Sequence, residues 1–238
     1  MSTTIPKTIV FDVDGTLYRA SSMKRAMLVK LLVAALRNPL AGLATFRALR
    51  AYRHAQEALR DAPDATGLAA AQLRVAVERT GLPEERVAAI VARWMEKEPL
   101  PLLGRFVDPA LPGMLHAARG RGVRLGVLSD YPAAAKLDAM GLGGHFDVVV
   151  SAQDPEVNRF KPHPAGLLEV LRRLGAAPEH ALYVGDRPEV DAGVARAAGV
   201  RCIIVGRGSA RPTDDWTPVA DYVELHAKLF PETPSPAP

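Results

Sequence analysis

The chain opens on a short apolar run, Thr8-Ile9-Val10-Phe11, which breaks off at two carboxylates, Asp12 and Asp14, separated by one valine. A β-branched and aromatic run of this kind predicts a strand buried on both faces. Beyond Tyr18 the period changes. From Arg19 to about Glu98 apolar residues recur at helical spacing in a background rich in Ala, Leu and Arg, with no convincing strand. Breaks at Asn38-Pro39, around Asp61-Ala-Pro-Asp64 and at Gly81-Leu-Pro83 divide this stretch into about four helices, each proline standing where it opens the next one. Pro99-Leu-Pro101 reads as the linker that closes it.

From Pro112 onward strands and helices alternate. Helices are expected over 112–120, 132–140, 164–174 and 188–198. Strands are expected over 123–128, ending at Ser129, over 146–151, over 181–184, ending at Gly185-Asp186, and over 201–205. The alternation predicts an α/β fold, a Rossmann-like parallel sheet with helices on both faces. An all-helical module is inserted after the first strand. The expected division is a core of 1–18 and 102–230, a helical insert of 19–101, and a tail of 231–238 whose four prolines leave it without fold.

Composition narrows the setting. Hydrophobic residues make up 48%, enough for a packed interior. The formal charge of +4 is mild and points only weakly to anionic ligands, so no nucleic-acid partner is expected. Cys202 is the only cysteine, which excludes an internal disulfide, and its run Arg201-Cys-Ile-Ile-Val marks it as a buried strand thiol. Met1 to Lys7 hold no apolar leader, and the longest aliphatic stretch is broken by Lys30, so a cytoplasmic protein is expected.

The unusual polar residues fall at strand ends. Period two sends Asp12 and Asp14 to one side if strand geometry persists that far. Two ionised carboxylates so close repel each other, and a divalent cation with oxygen ligands, magnesium best of all, removes that cost. Gly15 lets the backbone turn sharply and aim N–H groups at an anion. Ser129 and Asp130 end a second strand and Asp186 a third, and one parallel sheet carries all three ends to a common edge. Taken singly, Ser129 or Asp130 would serve as N-cap for the helix near Pro132, and Asp186 for the helix at Pro188. Lys161 sits in Arg159-Phe-Lys-Pro-His-Pro164, where two prolines stiffen the chain. A lysine held rigidly beside carboxylates can neutralise a bound phosphoryl group. His163, between the prolines, is peripheral.

Four blocks, Asp12-Val-Asp14-Gly-Thr16, Ser129, Lys161 and Gly185-Asp186 with Asp191 following, resemble in order the four motifs of the haloacid dehalogenase-like (HAD) hydrolases. The helical insert is similar to the family's cap of the first type. The resemblance implies a magnesium-dependent phosphatase acting on a small phosphomonoester, such as a phosphoglycolate- or sugar-phosphate-like metabolite. Asp12 would be the nucleophile and form an aspartyl phosphate; Asp14 would serve as acid and then base. Mg2+ would be held by Asp12, Asp186 and the backbone carbonyl of Asp14. Gly15, Thr16, Ser129, Asp130 and Lys161 would hold the phosphoryl oxygens, with Asp191 orienting the lysine or a metal-bound water. Many relatives carry asparagine where this chain has Asp130, and only its backbone is expected to matter. Asp14 separates the phosphatase branch from the dehalogenases, which lack an acid there. A phosphosugar mutase would keep all four motifs. A phosphonatase would need a Schiff-base lysine, for which Lys24 is conceivable, and a non-catalytic binding protein on the same fold is a further alternative.

Arg19 through Arg53 contain eight Lys or Arg residues and no acid. Arg47, Arg50, Arg53, His54 and Glu57 fall within one polar arc, which reads as a solvated face, as a reader of an anionic substrate group through Arg47 and Arg50, or as a contact with an anionic membrane surface. Apolar residues encircle the preceding segment, Met23 to Leu36, which argues against the membrane and for burial against neighbours or a partner.

Overall fold

The protein is described here by a computed structural model covering residues 5–60, 67–208 and 210–231. The helix break around Asp61–Asp64 and, beyond Pro231, the proline-rich tail lie outside the described residues. Six strands form one wholly parallel sheet: β1 (Thr8–Phe11), β2 (Arg124–Ser129), β3 (Val148–Ser151), β4 (Ala181–Gly185), β5 (Arg201–Val205) and β6 (Thr217–Val219). Their order is β3-β2-β1-β4-β5-β6. The chain therefore turns to opposite sides of β1, and a crevice opens at the carboxyl ends where it does so.

Burial on both faces fixes β1 at the centre. Ile9 and Phe11, with Val13 beyond them, enter one apolar layer alongside Leu111, Met114, Leu115 and Leu225. Val10 enters the other, with Leu128, Val150, Tyr183, Leu167, Val170 and Val194. The first layer is supplied by α6 (Leu111–Gly120) and α10 (Tyr222–Leu229), the second by α8 (Ala165–Leu174) and α9 (Gly193–Ala197). Each fully buried Leu or Phe side chain is worth about 1.5–3 kcal/mol, and sliding β1 by one residue would exchange its side chains between the two layers and undo the packing of both.

Between β1 and β2 lie α1 (Ala20–Arg37), α2 (Pro39–Ala58), α3 (Leu68–Thr80) and α4 (Glu84–Val91), the last running into a π-helical turn over Ala92–Lys97. Helices α2, α3 and α4 share a small core of Ala48, Ala51, Tyr52, Ala76, Val87 and Val91. The chain departs at Tyr18 and returns at Val107, which form an antiparallel bridge, and the Arg19 N–H donates to the Phe106 carbonyl at 2.9 Å.

Several local expectations are corrected. The Pro99–Pro101 linker runs into a short helix, α5 (Leu100–Leu103), because a proline in the first turn gives up no helical hydrogen bond. Helix α7 (Ala134–Ala139) starts too late for Ser129 or Asp130 to cap it. The segment from Pro188 opens as a π-helical turn, Pro188–Ala192, with Arg187 and not Asp186 at its start. Strand β6 and helix α10 had no counterpart in the pattern. Pro218 is tolerated in β6 because that strand lies at the sheet's edge. Asp221-Tyr-Val-Glu224 was a readable helix start: the Asp221 side chain accepts from the Glu224 N–H at 2.9 Å, and Glu224 accepts from the Ala220 N–H at 2.6 Å.

Helix α1 departs most. Of its apolar residues only Met23 is buried among large side chains, while Leu28, Val29, Leu32, Val33 and Leu36 stand exposed. It lies against α2 along one side, where Gly42 allows close approach: a Cβ there would stand 2.5 Å from the Ala35 Cβ. The opposite side faces outward.

Candidate active site

Strand β1 ends at Phe11, and residues 14–17 form a turn. Asp12 is fixed at this exit, its N–H donating to the Val184 carbonyl at 2.9 Å. One carboxylate oxygen accepts from the Thr16 hydroxyl at 2.9 Å and the other from Lys161 Nζ at 2.5 Å. The same ammonium donates to Asp191 Oδ1 at 2.7 Å and to the Tyr183 hydroxyl at 3.3 Å. Asp191 lies on the π-helical turn after β4, a distortion frequent at functional sites. Its second oxygen accepts the N–H groups of Asp186 (3.1 Å) and Arg187 (2.9 Å). Three segments distant in sequence thus meet around one buried ammonium.

Charge balance is unequal among the carboxylates. Burial pushes Asp12 up to about 7, Lys161 opposes the rise, and Asp191 and Asp186 reinforce it. Burial and the nearby Asp191 raise Asp186 to about 6, against the pull of Lys161, Arg187 and Lys24. Burial disfavours charge on Asp191 too, yet Lys161 and the Arg187 N–H outweigh it and hold Asp191 below its usual value. Burial would lower Lys161, but Asp12 and Asp191 keep it well above the ordinary lysine range. A divalent cation beside Asp12 and Asp186 would favour the charged form of both.

Asp12, Asp186 and Asp191 each place a carboxylate oxygen within 4.8 Å of the others. Asp191 and Asp12 each have both oxygens accepting hydrogen bonds, which leaves Asp186 as the carboxylate of the three with an unengaged oxygen. Asp186 Oδ1 is buried with no hydrogen-bond partner. An orphaned buried carboxylate oxygen beside a second carboxylate fits a hard divalent cation. Gly15 makes the approach feasible. Its φ is +110°, and a Cβ there would stand 2.3 Å from Asp186 Oδ2. Gly15→Ala is expected to cost about 1–3 kcal/mol of stability through backbone strain. By displacing Asp186 it should also slow phosphate release about 10²-fold. Thermal melts and steady-state rates check both.

The structure does not bring Asp14 into this cluster. Because β1 has ended, the alternation expected to align Asp12 with Asp14 fails, and Asp14 turns to Lys136 Nζ (2.7 Å to each oxygen) and the Tyr18 hydroxyl (2.6 Å). Lys136 and Tyr18 overcome the effect of burial and hold Asp14 below its usual value. Ser129 is buried at the end of β2, its hydroxyl accepting the Tyr131 N–H at 3.3 Å. Asp130 acts through its side chain, contrary to expectation. It accepts from the Lys161 N–H at 3.2 Å, Gln56 Nε2 at 2.9 Å and Arg60 Nη1 at 3.2 Å, while Arg60 also donates to the Lys161 carbonyl. A carboxylate serves better than an amide in pairing with that guanidinium.

Arg47 and Arg50 are not gathered with the carboxylates. With Ala51, His54, Arg79 and Thr80 they line a cavity of about 200 Å³, and Arg47 donates to the Thr80 carbonyl at 3.2 Å. The residues that reach the sheet edge are Gln56 of α2 and Arg60, two residues beyond its end. Tyr131 extends that seam, donating to Gln56 Oε1 and accepting from buried Gln72, each at 2.8 Å. Lys136, Tyr18, Tyr183, Gln56 and Arg60 carried no sequence signal, since their meaning depends on contacts between distant segments.

Fold and site define an α/β enzyme core with its charged groups collected at the carboxyl edge of a parallel sheet. A family model described as haloacid dehalogenase-like hydrolase matches residues 6–199. Phosphoglycolate phosphatase of Rhodospirillum rubrum is 33% identical over 87% of this chain and 82% of its own length. The Pseudomonas putida enzyme of that name is 31% identical over 98% and 82%. Among solved structures, a HAD phosphatase from Thermococcus onnurineus matches with a TM-score of 0.57 at 23% identity, over 94% of this chain and 97% of its own. A 2-haloacid dehalogenase from Pseudomonas syringae matches at 0.66 and 23%, over 94% and 98%. These last two share the fold. The chain belongs to the haloacid dehalogenase-like hydrolases. Within them it is a phosphoric monoester hydrolase, with an acidic group suited to a metal ion.

Proposed function

We propose that the protein is a magnesium-dependent phosphatase hydrolysing a small phosphomonoester of the phosphoglycolate type through an aspartyl phosphate on Asp12. The observation that carries this reading is the Asp12–Lys161 contact at 2.5 Å beside the unpartnered Asp186 oxygen. The names of the relatives support the substrate class.

Asp12 and Asp186, with the Asp14 carbonyl, would hold the cation, which when bound supplies charge neutralisation to the phosphoryl oxygens. A carboxylate oxygen of Asp12 attacks phosphorus as the bond to the leaving oxygen breaks, and Asp14 gives that oxygen its proton. Water then attacks the phosphoryl group, Asp14 takes the water's proton, and the Asp12 carboxylate is regenerated. Lys161 balances the phosphoryl charge while Asp191 holds the ammonium in place. Thr16 orients Asp12 through its 2.9 Å hydrogen bond. Arg60 and Gln56 are better placed than Arg47 and Arg50 to meet the rest of the substrate, since they reach Asp130 at the sheet edge.

Paired with Lys136, Asp14 is held toward its ionised form, so in the free enzyme it takes up a proton before it can serve the leaving oxygen. Removing the cation from its side must raise its pKa. Lys136→Met is therefore expected to move the alkaline limb of the kcat/KM profile for an aryl phosphate to higher pH. An unmoved limb would show that Asp14 is not the essential acid.

The direct test is phosphate release from phosphoglycolate and from a panel of sugar phosphates, with Mg2+ and with EDTA. Release that stops in EDTA and returns on adding Mg2+ is expected. Release indifferent to chelation defeats the metal assignment, and isomerisation of a sugar phosphate without net phosphate release would make the chain a mutase.

A further inference from the structure

The hairpin of α1 and α2 carries an apolar surface that none of the described residues covers. Leu28, Val29, Leu32, Val33, Leu36, Leu40, Leu43 and Phe46 are all exposed, Leu36 to 83% and Leu40 to 82% at the tip. On α1 the spacing of Arg25, Leu28, Leu32 and Leu36 makes one continuous stripe along the outer side. Along α2 a single stripe changes character. Leu40, Leu43 and Phe46 give way within a turn to Arg47, Arg50 and His54, which with Arg79 line the cavity described above. The hairpin's charge is almost all of one sign: Glu57, paired with Arg60, is its single acid, and Lys30 pairs with Glu98 outside it. No acid occurs between Asp14 and Glu57, and among the described residues no carboxylate pairs with Arg25, Arg37, Arg47 or Arg50.

We propose that this hairpin seats the enzyme on an anionic phospholipid surface. Its apolar tip enters the boundary between headgroups and acyl chains, and Arg37, Arg47 and Arg50 meet lipid phosphates. Apolar residues bordered by unpaired arginines are the pattern of helices that lie in a membrane interface. The hairpin lies on the surface and does not cross it, for among the described residues no helix is long and apolar enough to span a bilayer. The sequence-based objection, that apolar residues encircle α1, loses its force because α2 covers one side and the remainder faces one way. A second copy of the chain is a poorer occupant. In a two-fold pairing the same patch meets itself, so these arginines would face their own copies, and the hairpin's single acid, Glu57 near the C-terminal end of α2, is already paired with Arg60.

The test is co-sedimentation of the full protein with vesicles of phosphatidylcholine alone and of phosphatidylcholine mixed with phosphatidylglycerol, alongside sedimentation velocity without lipid. The mixed vesicles should bind at least about tenfold more protein at low salt, and the excess should fall as salt rises. Leu36→Glu/Leu40→Glu should abolish binding and Arg37→Glu should reduce it. Both should keep their aryl phosphatase activity, which shows that they fold. Equal binding to the two vesicle types overturns the proposal. So does absence of vesicle binding, whether the protein is a monomer or a dimer that Leu36→Glu/Leu40→Glu dissociates.

Discussion

Asp12→Asn is expected to reduce phosphate release by at least about 10⁴-fold, the scale of loss when a nucleophile is removed from an otherwise intact site. The fold should not suffer. Burial pushes Asp12 up to about 7, which means that its charge is held there at a cost. An amide of the same shape carries no charge, its oxygen can still accept from Lys161 while its NH2 donates to the Thr16 hydroxyl, and Asp191 is left to balance the ammonium. The melting temperature without metal should therefore stay level or rise at pH 7 and above. Rate and stability moving in opposite directions is the signature of a group kept for chemistry. Substantial activity in the variant would mean that another group attacks phosphorus, and a collapse in melting temperature would make Asp12 a structural residue.

That separation also marks what could be read from the sequence. Asp12, Ser129 and Asp186 were legible because each terminates an apolar run, and the rules of parallel sheets bring such termini to one edge. Lys161 could be picked out from the flanking prolines, but its two partners could not. The pairing of Asp14 with Lys136 was illegible for a different reason. It depends on β1 stopping at Phe11, a one-residue matter that reverses the direction of the next side chain. Asp130 was misjudged because its side chain meets Gln56 and Arg60, which reach it from the inserted segment, at and just beyond the end of α2. The outward face of α1 was hidden in a run apolar on all sides, since periodicity reports which residues avoid water and not whether a partner is present. Strand β6 is too short and too interrupted by Pro218 to register, although the capping residues after it were plain.

Lys161→Met tests the centre of the site by removing the ammonium while keeping much of its apolar stem. Two buried carboxylates, Asp12 and Asp191, lose their common partner. Breaking a buried ion pair from one side costs about 3–5 kcal/mol. In a chain of this size that corresponds to a fall in melting temperature on the order of 10 °C at neutral pH. The sign of its pH dependence follows from linkage. In the native protein Lys161 holds Asp191 below its usual value, a contribution present at neutral pH and lost as pH falls through the folded-state value. Without the ammonium, burial raises both carboxylates above their unfolded value of 3.8. The folded variant then binds more protons than the unfolded chain, so its stability falls as pH rises from about 4 upward. The deficit relative to the parent protein should be largest near pH 7 to 8 and shrink toward pH 4 to 5. Urea denaturation at several pH values measures it. Turnover should fail at every pH, because the group that balances the phosphoryl charge has gone. A deficit constant with pH would mean that the loss comes from packing around the lysine stem and not from the two carboxylates.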